Sequence, residues 1–374
     1  MNCSIKTMQD IDDFIRGTML YGTGGGGSAV KGKELLLGSF NEGKDIKWTN
    51  IDDLPDDGWV CTAFFMGPSS PATEEEEKEK IRKGMIEKVE KSMLVSAVRE
   101  MERELGIKFT AIIPVEPGGY NCPAPLDAAA KLGIKIIDGD LVGRAMPEIA
   151  QALPTTENIP ICPITCCDPW GNVTVIRKTH SYGMAEALGK MISLPAYEPI
   201  GLAAFPMKIK DLRNVMVKGT LTKYLETGRA AREALEKGED PVAALAKISG
   251  GFDFFRGEIT SFDWGIVEGY FQGDIIITGK GKNEGSKLRV WFRNENHLAY
   301  LDGKLVVITP DIITLVLTET GAPLVNMDIK VGMDVGVVAI PHPTYRTEKG
   351  MKLLGPAHYG LDEIEYIPVE EVLG

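Results

Sequence analysis

The apolar residues Ile11, Phe14, Ile15 and Leu20 recur at helical spacing from Met8 to Met19 and just beyond, which predicts an amphipathic helix. The helix runs into Gly22-Thr23-Gly24-Gly25-Gly26-Gly27-Ser28, and the leucines, lysines and glutamate of residues 29–37 predict a second helix directly after it. The glycine loop therefore opens a helix. Trp59 to Met66 is an apolar run rich in aromatic and branched residues, set between Asp56-Asp57-Gly58 and Gly67-Pro68-Ser69. That is the pattern of a buried strand. Thr73 with Glu76 three residues on predicts a capped helix, and the charge run from Glu74 to Lys83 reads as its solvated start. Phe109 to Val115 and Ile134 to Asp138 are two further short apolar runs, separated by a helical stretch at Pro125 to Leu132.

This β-α-β rhythm predicts parallel strands with right-handed crossovers. In such sheets ligands gather at the C-terminal ends of strands. Gly67-Pro68-Ser69, Glu116-Pro117-Gly118-Gly119-Tyr120-Asn121 and Asp138-Gly139-Asp140 all fall at such ends. After about Pro154 the pattern changes. Helices are expected at Ser181 to Met191 and Leu221 to Lys237, and from Gly257 onward strand-like runs follow one another. Asp263 to Thr278, Leu288 to Phe292, Leu305 to Ile308, Ile312 to Leu317 and Val335 to Ile340 read as strands, with Asp302-Gly303 as a hairpin turn. The expected fold is α/β plus β. An N-terminal α/β domain with a parallel sheet spans residues 1–155, and a β-rich domain with some helices spans 156–374, with some C-terminal segments free to return to the first. A chain of 374 residues exceeds the roughly 250 to 300 that one core supports, and with no linker between them the two domains should pack closely.

Composition narrows the partners. Hydrophobic residues at 44% and charged residues at 25% describe an ordinary soluble globular chain. A formal charge of -12 repels phosphate backbones and anionic headgroups, so neither nucleic acid nor a membrane is an expected partner. The N-terminus lacks the apolar stretch of a secretory signal, and no segment offers the roughly 20 apolar residues that span a bilayer. The expectation is a cytoplasmic protein that binds a small molecule and forms a homo-oligomer. The six cysteines, Cys3, Cys61, Cys122, Cys162, Cys166 and Cys167, are too sparse for a disulfide framework.

Four consecutive glycines can present backbone N–H groups to a ligand, because no Cβ blocks the approach. Thr23, Gly24, Gly25 and Gly26 are therefore candidate substrate-binding residues, the alternative being a plain turn between helices. The loop is neither a Walker A motif nor a dinucleotide fingerprint, so no nucleotide cofactor is expected. Glu116 and Asn121 flank a second glycine pair. Asn121 can donate and accept at once and so read a ring amide, or it can cap the next helix. Asp138, Asp140 and Glu148 gather around Arg144 at a strand end, and closely set carboxylates can split into acid and base or hold a hard cation. They are the candidate catalytic residues, with Arg144 orienting an anionic substrate, while one carboxylate could simply cap a helix. A divalent metal is compatible with this set, although the sequence names no ligands for it.

The remaining features are weaker. Cys162, Cys166 and Cys167 read mainly as buried, inert thiols, with His180 the base a nucleophilic thiol would need. The four histidines show no metal-binding spacing. Asn294-Glu295-Asn296 follows a strand and is dense in hydrogen-bonding groups, as either a turn or a substrate or domain-interface contact. The sharpest expectation is that Thr23 to Gly26, Asn121 and the Asp138 to Glu148 segment line one cavity.

Taken together, the glycine loop, Glu116 to Asn121 and Asp138 to Glu148 resemble the N-terminal signatures of the DUF917 family, also called S-methyl-thiohydantoin desulfurase-like. Gly219-Thr220-Leu221-Thr222, Gly228-Arg229-Ala230, Asn294-Glu295-Asn296, Pro310-Asp311 and Gly355-Pro356 follow in that family's order. His297, directly after the Asn-Glu-Asn triplet, and His358 set this chain apart from the pattern. The resemblance implies an α/β domain followed by a β-rich domain, an association with hydantoinase and oxoprolinase systems, and hydrolytic desulfuration of an S-methylated thiohydantoin. The competing expectation is a non-catalytic binding module that serves a hydantoinase-type partner.

Overall fold

The computed structural model describes residues 4–67 and 73–374; Cys3, Pro68 and Ser69 lie outside them. Helix α1 (Met8–Tyr21) starts at a capping box formed by Thr7 and Asp10, and α2 (Ala29–Asn41) follows the glycine loop as expected. Next come β1 (Trp48–Thr49), β2 (Trp59–Met66), α3 (Glu74–Arg82), α4 (Met93–Leu105), β3 (Ala111–Ile112), α5 (Pro123–Leu132), β4 (Lys135–Ile137) and β5 (Gly139–Asp140). Thr73 and Glu76 form the anticipated capping box of α3. The chain continues through β6 (Ile164–Cys167), β7 (Val173–Ile176), α6 (Tyr182–Ser193), β8 (Ile200–Lys208), α7 (Ile209–Leu212), β9 (Val217–Lys218), α8 (Thr220–Glu236) and α9 (Pro241–Ser249).

The first sheet has the order β1-β4-β3-β2-β8-β6-β7. The four strands from β1 to β2 are parallel, and β8, β6 and β7 add to it antiparallel. It thus draws on residues both sides of position 155, because β8 lies between β2 and β6. Alternate residues of β2 serve opposite faces, Cys61 and Ala63 joining the buried cluster that holds Leu94 and Val98 of α4, and Val60 and Phe64 joining the cluster that holds Leu141, Ile149 and Ala185 of α6. A strand apolar on both faces is stable only when both are covered.

The second sheet comprises β10 (Phe252–Val267), β11 (Tyr270–Gly279), β12 (Lys287–Arg293), β13 (Glu295–Leu301), β14 (Lys304–Ile308), β15 (Ile312–Leu317) and β16 (Asp334–Ile340). It is antiparallel throughout, in the order β14-β13-β12-β11-β10-β16-β15. The architecture is therefore α/β plus β. The run from Asp263 to Thr278, expected as one strand, is instead two arms of a hairpin. Glu268 and Gly269 turn with φ of 53° and 83°, the conformation of a tight primed turn, and Glu-Gly lacks the Asn or Asp that usually announces one. Asp302-Gly303 makes the expected turn with φ of 48° and 84°. Finally, β5 pairs with β9, which fastens the Asp138–Asp140 segment beside the start of α8.

Candidate active site

The glycine loop lies between the two halves. Thr23 takes a positive φ of 45°, and Gly24 and Gly26 follow at 87° and 78°. The carbonyls of Thr23 and Gly24 accept from the N–H groups of Asn296 and Asn326, each at 2.7 Å. On the other side the Gly26 carbonyl accepts from the N–H groups of Tyr120 and Asn121. Thr23 Oγ1 donates to the Ile313 carbonyl at 3.0 Å and accepts from the Ile313 N–H at 3.1 Å. The fit is tight enough to require glycine. A Cβ on Gly25 would sit 1.9 Å from Glu295 Oε1, and one on Gly26 would sit 2.4 Å from Gly118 Cα. The loop thus joins Glu116–Asn121, from the first sheet, to Glu295, Asn296 and Asn326, from the second.

Two buried carboxylates meet at this junction. Glu116 Oε1 accepts from Asn121 Nδ2 at 2.6 Å and its Oε2 accepts from the Met146 N–H at 2.8 Å. Burial, then the charge of Glu295, pushes its carboxyl well above the usual range. Glu295 is 4% exposed, and burial pushes its carboxyl up to about 8 against the opposing pull of Arg144. Its Oε2 is buried with no hydrogen-bond partner among the described residues, and the same holds for Asn326 Oδ1. Buried polar atoms in this state mark a place where a ligand or water completes the structure. With both carboxyls raised by burial and the Glu295 charge holding the proton on Glu116, the pair still keeps a proton once Glu295 has ionised, so it can give one proton and take another.

Arg144 is wholly buried but is not a free anion receptor. Its Nη1 donates to Thr309 Oγ1 and to the carbonyls of Pro310 and Asp311, and its Nη2 donates to the Asn296 carbonyl at 3.1 Å. The guanidinium holds β13 in place and sets a positive charge beside Glu295. Asn121 likewise spends its amide on Glu116.

The carboxylates favoured from the sequence are occupied with other contacts. Asp138 accepts from the Thr222 N–H at 3.1 Å and from Thr222 Oγ1 at 2.6 Å, capping the first turn of α8 from outside the helix. Asp140 accepts from the N–H groups of Val142 and Gly143 and from the Tyr224 hydroxyl at 2.6 Å. Both are anchors for α8 in these contacts. Glu148 accepts from the Tyr270 hydroxyl at 3.1 Å and lies 3.6 Å from His358 Nε2, whose proximity holds its carboxyl below the usual range. The structure therefore brings together Thr23 to Gly26, Glu116, Asn121 and Arg144 at one junction, while Asp138 and Asp140 turn to α8 and Glu148 faces Tyr270 and His358.

Sequence reasoning singled out the Asn-Glu-Asn triplet without assigning Glu295 a role, and it missed Asn326, Tyr359 and the part played by Trp291. Tyr359 packs on His297 with ring centroids 4.1 Å apart, and Trp291 lies 5.7 Å from the same ring. No local signal in the chain points to Asn326; its place follows from the backbone bond to Gly24. Cys166 and Cys167 are buried in β6, where burial pushes both thiols up to about 12, as inert thiols require. Among the described residues, no group of three or more His, Cys, Asp or Glu side chains is arranged to hold a metal ion. Among them, too, no helix is long and apolar enough to cross a membrane.

Comparison with known proteins agrees with this two-part layout. Residues 9–178 match the family model described as S-Me-THD-like, N-terminal domain, and residues 180–369 match S-Me-THD-like, C-terminal domain. No curated protein matches the chain in sequence. Its fold is similar to the crystal structure of a protein from Chromobacterium violaceum, with a TM-score of 0.76 and 19% identity, covering 99% of this chain and 100% of that one.

Proposed function

The chain belongs to the S-Me-THD-like family, and from that premise we propose that it is a hydrolase of five-membered cyclic amides, replacing the methylthio group of an S-methylated thiohydantoin by oxygen. The observation that carries the reading is the buried pair of Glu116 and Glu295 beside the glycine loop, with one Glu295 oxygen unpartnered. In this reading the ionised member of the pair takes a proton from water as its oxygen bonds to the carbon between the two ring nitrogens. The protonated member gives a proton to the departing sulfur as the carbon–sulfur bond breaks. Methanethiol leaves, the proton of the new hydroxyl passes to the ring nitrogen so that a hydantoin remains, and the pair again holds one proton. General acid–base help of this kind contributes about a hundred- to ten-thousand-fold in rate.

Asn121 supports the same step by holding Glu116, and Arg144 by fixing the strand that bears Glu295. The roles anticipated for Asp138 and Asp140 pass in this proposal to Glu295 and Glu116, because every polar contact of those two aspartates is spent on α8 and its surroundings. The hydantoin product is a substrate for ring opening, which is the chemistry of a hydantoinase-type partner. We also propose that the chain acts as a homo-oligomer.

The test is incubation of the purified chain with an S-methylated thiohydantoin in heavy-oxygen water, with and without added divalent metal salts. Methanethiol and hydantoin should appear in equal amounts, with the heavy oxygen on the new ring carbonyl. Absence of thiol release under every condition would overturn the reading, and turnover that begins only when a hydantoinase subunit is added would favour an accessory role.

A further inference from the structure

Strand β13 carries one residue more than its partner β12. Trp291 pairs with Leu298 and Phe292 with Asn296, so His297 falls in a bulge. Bulges beside active sites re-aim a side chain. The His297 ring is fully buried against Tyr359 and Trp291, and its Nε2 lies 3.3 Å from the Arg293 carbonyl. A carbonyl only accepts, so Nε2 carries the hydrogen. Burial, then the charge of Arg144, keeps a second proton off the ring. Nδ1 is therefore a bare acceptor, and it is buried with no hydrogen-bond partner among the described residues.

Its neighbours place it at the candidate active site. Asn296, the residue before it, donates its N–H to the Thr23 carbonyl at 2.7 Å and its carbonyl accepts from Arg144 Nη2 at 3.1 Å, and the His297 carbonyl accepts from the N–H of Thr309, whose hydroxyl also takes a bond from Arg144. A lone buried histidine is often a core residue, but the large majority of buried side-chain polar atoms have a hydrogen-bond partner. This one offers an acceptor two residues along β13 from Glu295, whose Oε2 is likewise buried without a partner among the described residues.

We propose that His297 selects the substrate: its Nδ1 accepts a hydrogen bond from a ring N–H of a five-membered cyclic urea or amide and so disfavours rings whose nitrogen at that edge is substituted. The proposal rests on the reading of this junction as a ring-binding site. A site built to bond an N–H rejects the analogue lacking it, because the buried acceptor is then left unpaired.

The experiment is calorimetric titration of hydantoin and its two N-methyl isomers into wild type, His297→Phe and His297→Asn, with thiol release from the S-methylated ring measured in parallel. In wild type, one isomer should bind at least about tenfold more weakly than hydantoin. His297→Phe keeps the aromatic wall and should bring that ratio to within about threefold, whereas His297→Asn, whose amide oxygen falls near the Nδ1 position, should restore the preference. The wild-type nitrogen NMR signal of Nδ1 should also move when hydantoin saturates the site, a readout that stands whether or not either variant folds. Equal binding of hydantoin and both isomers, no binding of hydantoin at all, an unmoved Nδ1 signal, or a preference retained in His297→Phe would each overturn the proposal. Thiol release without an N–H preference would leave the desulfuration reading standing and remove this one; the preference without thiol release would do the reverse.

Discussion

At the residue scale, Glu295 and Asp140 make an instructive contrast. Both are buried carboxylates, yet Asp140 has a donor on each oxygen and Glu295 leaves one oxygen without a partner among the described residues. Glu295→Gln should fold and lose turnover by about a hundred- to ten-thousand-fold, read by thiol release. Its stability should also answer to pH. The folded carboxyl is raised from 4.5 to about 8, so the folded chain keeps a proton that the unfolded chain releases. Stability from that proton is fully present below the unfolded value and is lost as pH rises through the folded one. Thermal melts should therefore show wild type losing ground to Glu295→Gln as pH rises from about 5 to about 9; parallel curves would contradict the assignment. Asp138→Asn, by contrast, should keep most of the turnover and cost about 1 kcal/mol, because only a helix-cap acceptor is weakened.

At the scale of elements, the glycine loop and the Glu116–Asn121 segment were legible from the chain, since clustered glycines after a helix and after a strand both demand unusual backbone. The destination of Asp138 and Asp140 was not. It depends on β5 pairing with β9, from Gly139 to Lys218, a contact that no local pattern announces. The role of Glu295 was hidden for the same reason: its partner Glu116 comes from the other sheet, and neither residue alone has a shifted carboxyl in an extended chain. Neighbouring glycines should now behave differently. In Gly25→Ala the new methyl meets the end of the Glu295 side chain, so the variant should fold while turnover falls. In Gly26→Ala it meets Gly118 backbone at a φ of 78°, and the variant should lose about 1–3 kcal/mol or more. Equal melting temperatures for the two variants would contradict this packing.

At the scale of the whole molecule, the two-part layout was readable as a change from β-α-β rhythm to successive strands, and a return of later segments to the first part was allowed for, but which strand returns was not. β8 inserts into the first sheet between β2 and β6, and the glycine loop and Arg144 tie β13 and β15 to the first half. Arg144→Met would leave the carbonyls of Pro310, Asp311 and Asn296 without this donor, so it should lower the melting temperature of both halves together in a single transition. Two separate transitions would show that the halves are not coupled through it. The central claim, that a proton held by the buried Glu116–Glu295 pair drives desulfuration, is tested most directly by the pH dependence of kcat/KM for thiol release from about pH 5 to about pH 10. The account expects kcat/KM to rise as pH rises through about 8, where Glu295 gives up its proton and becomes the base while burial and the Glu295 charge keep the proton on Glu116, and Glu295→Gln to lack the activity throughout. A profile that stays flat across that range, or a Glu295→Gln variant that turns over at the wild-type rate, would contradict it.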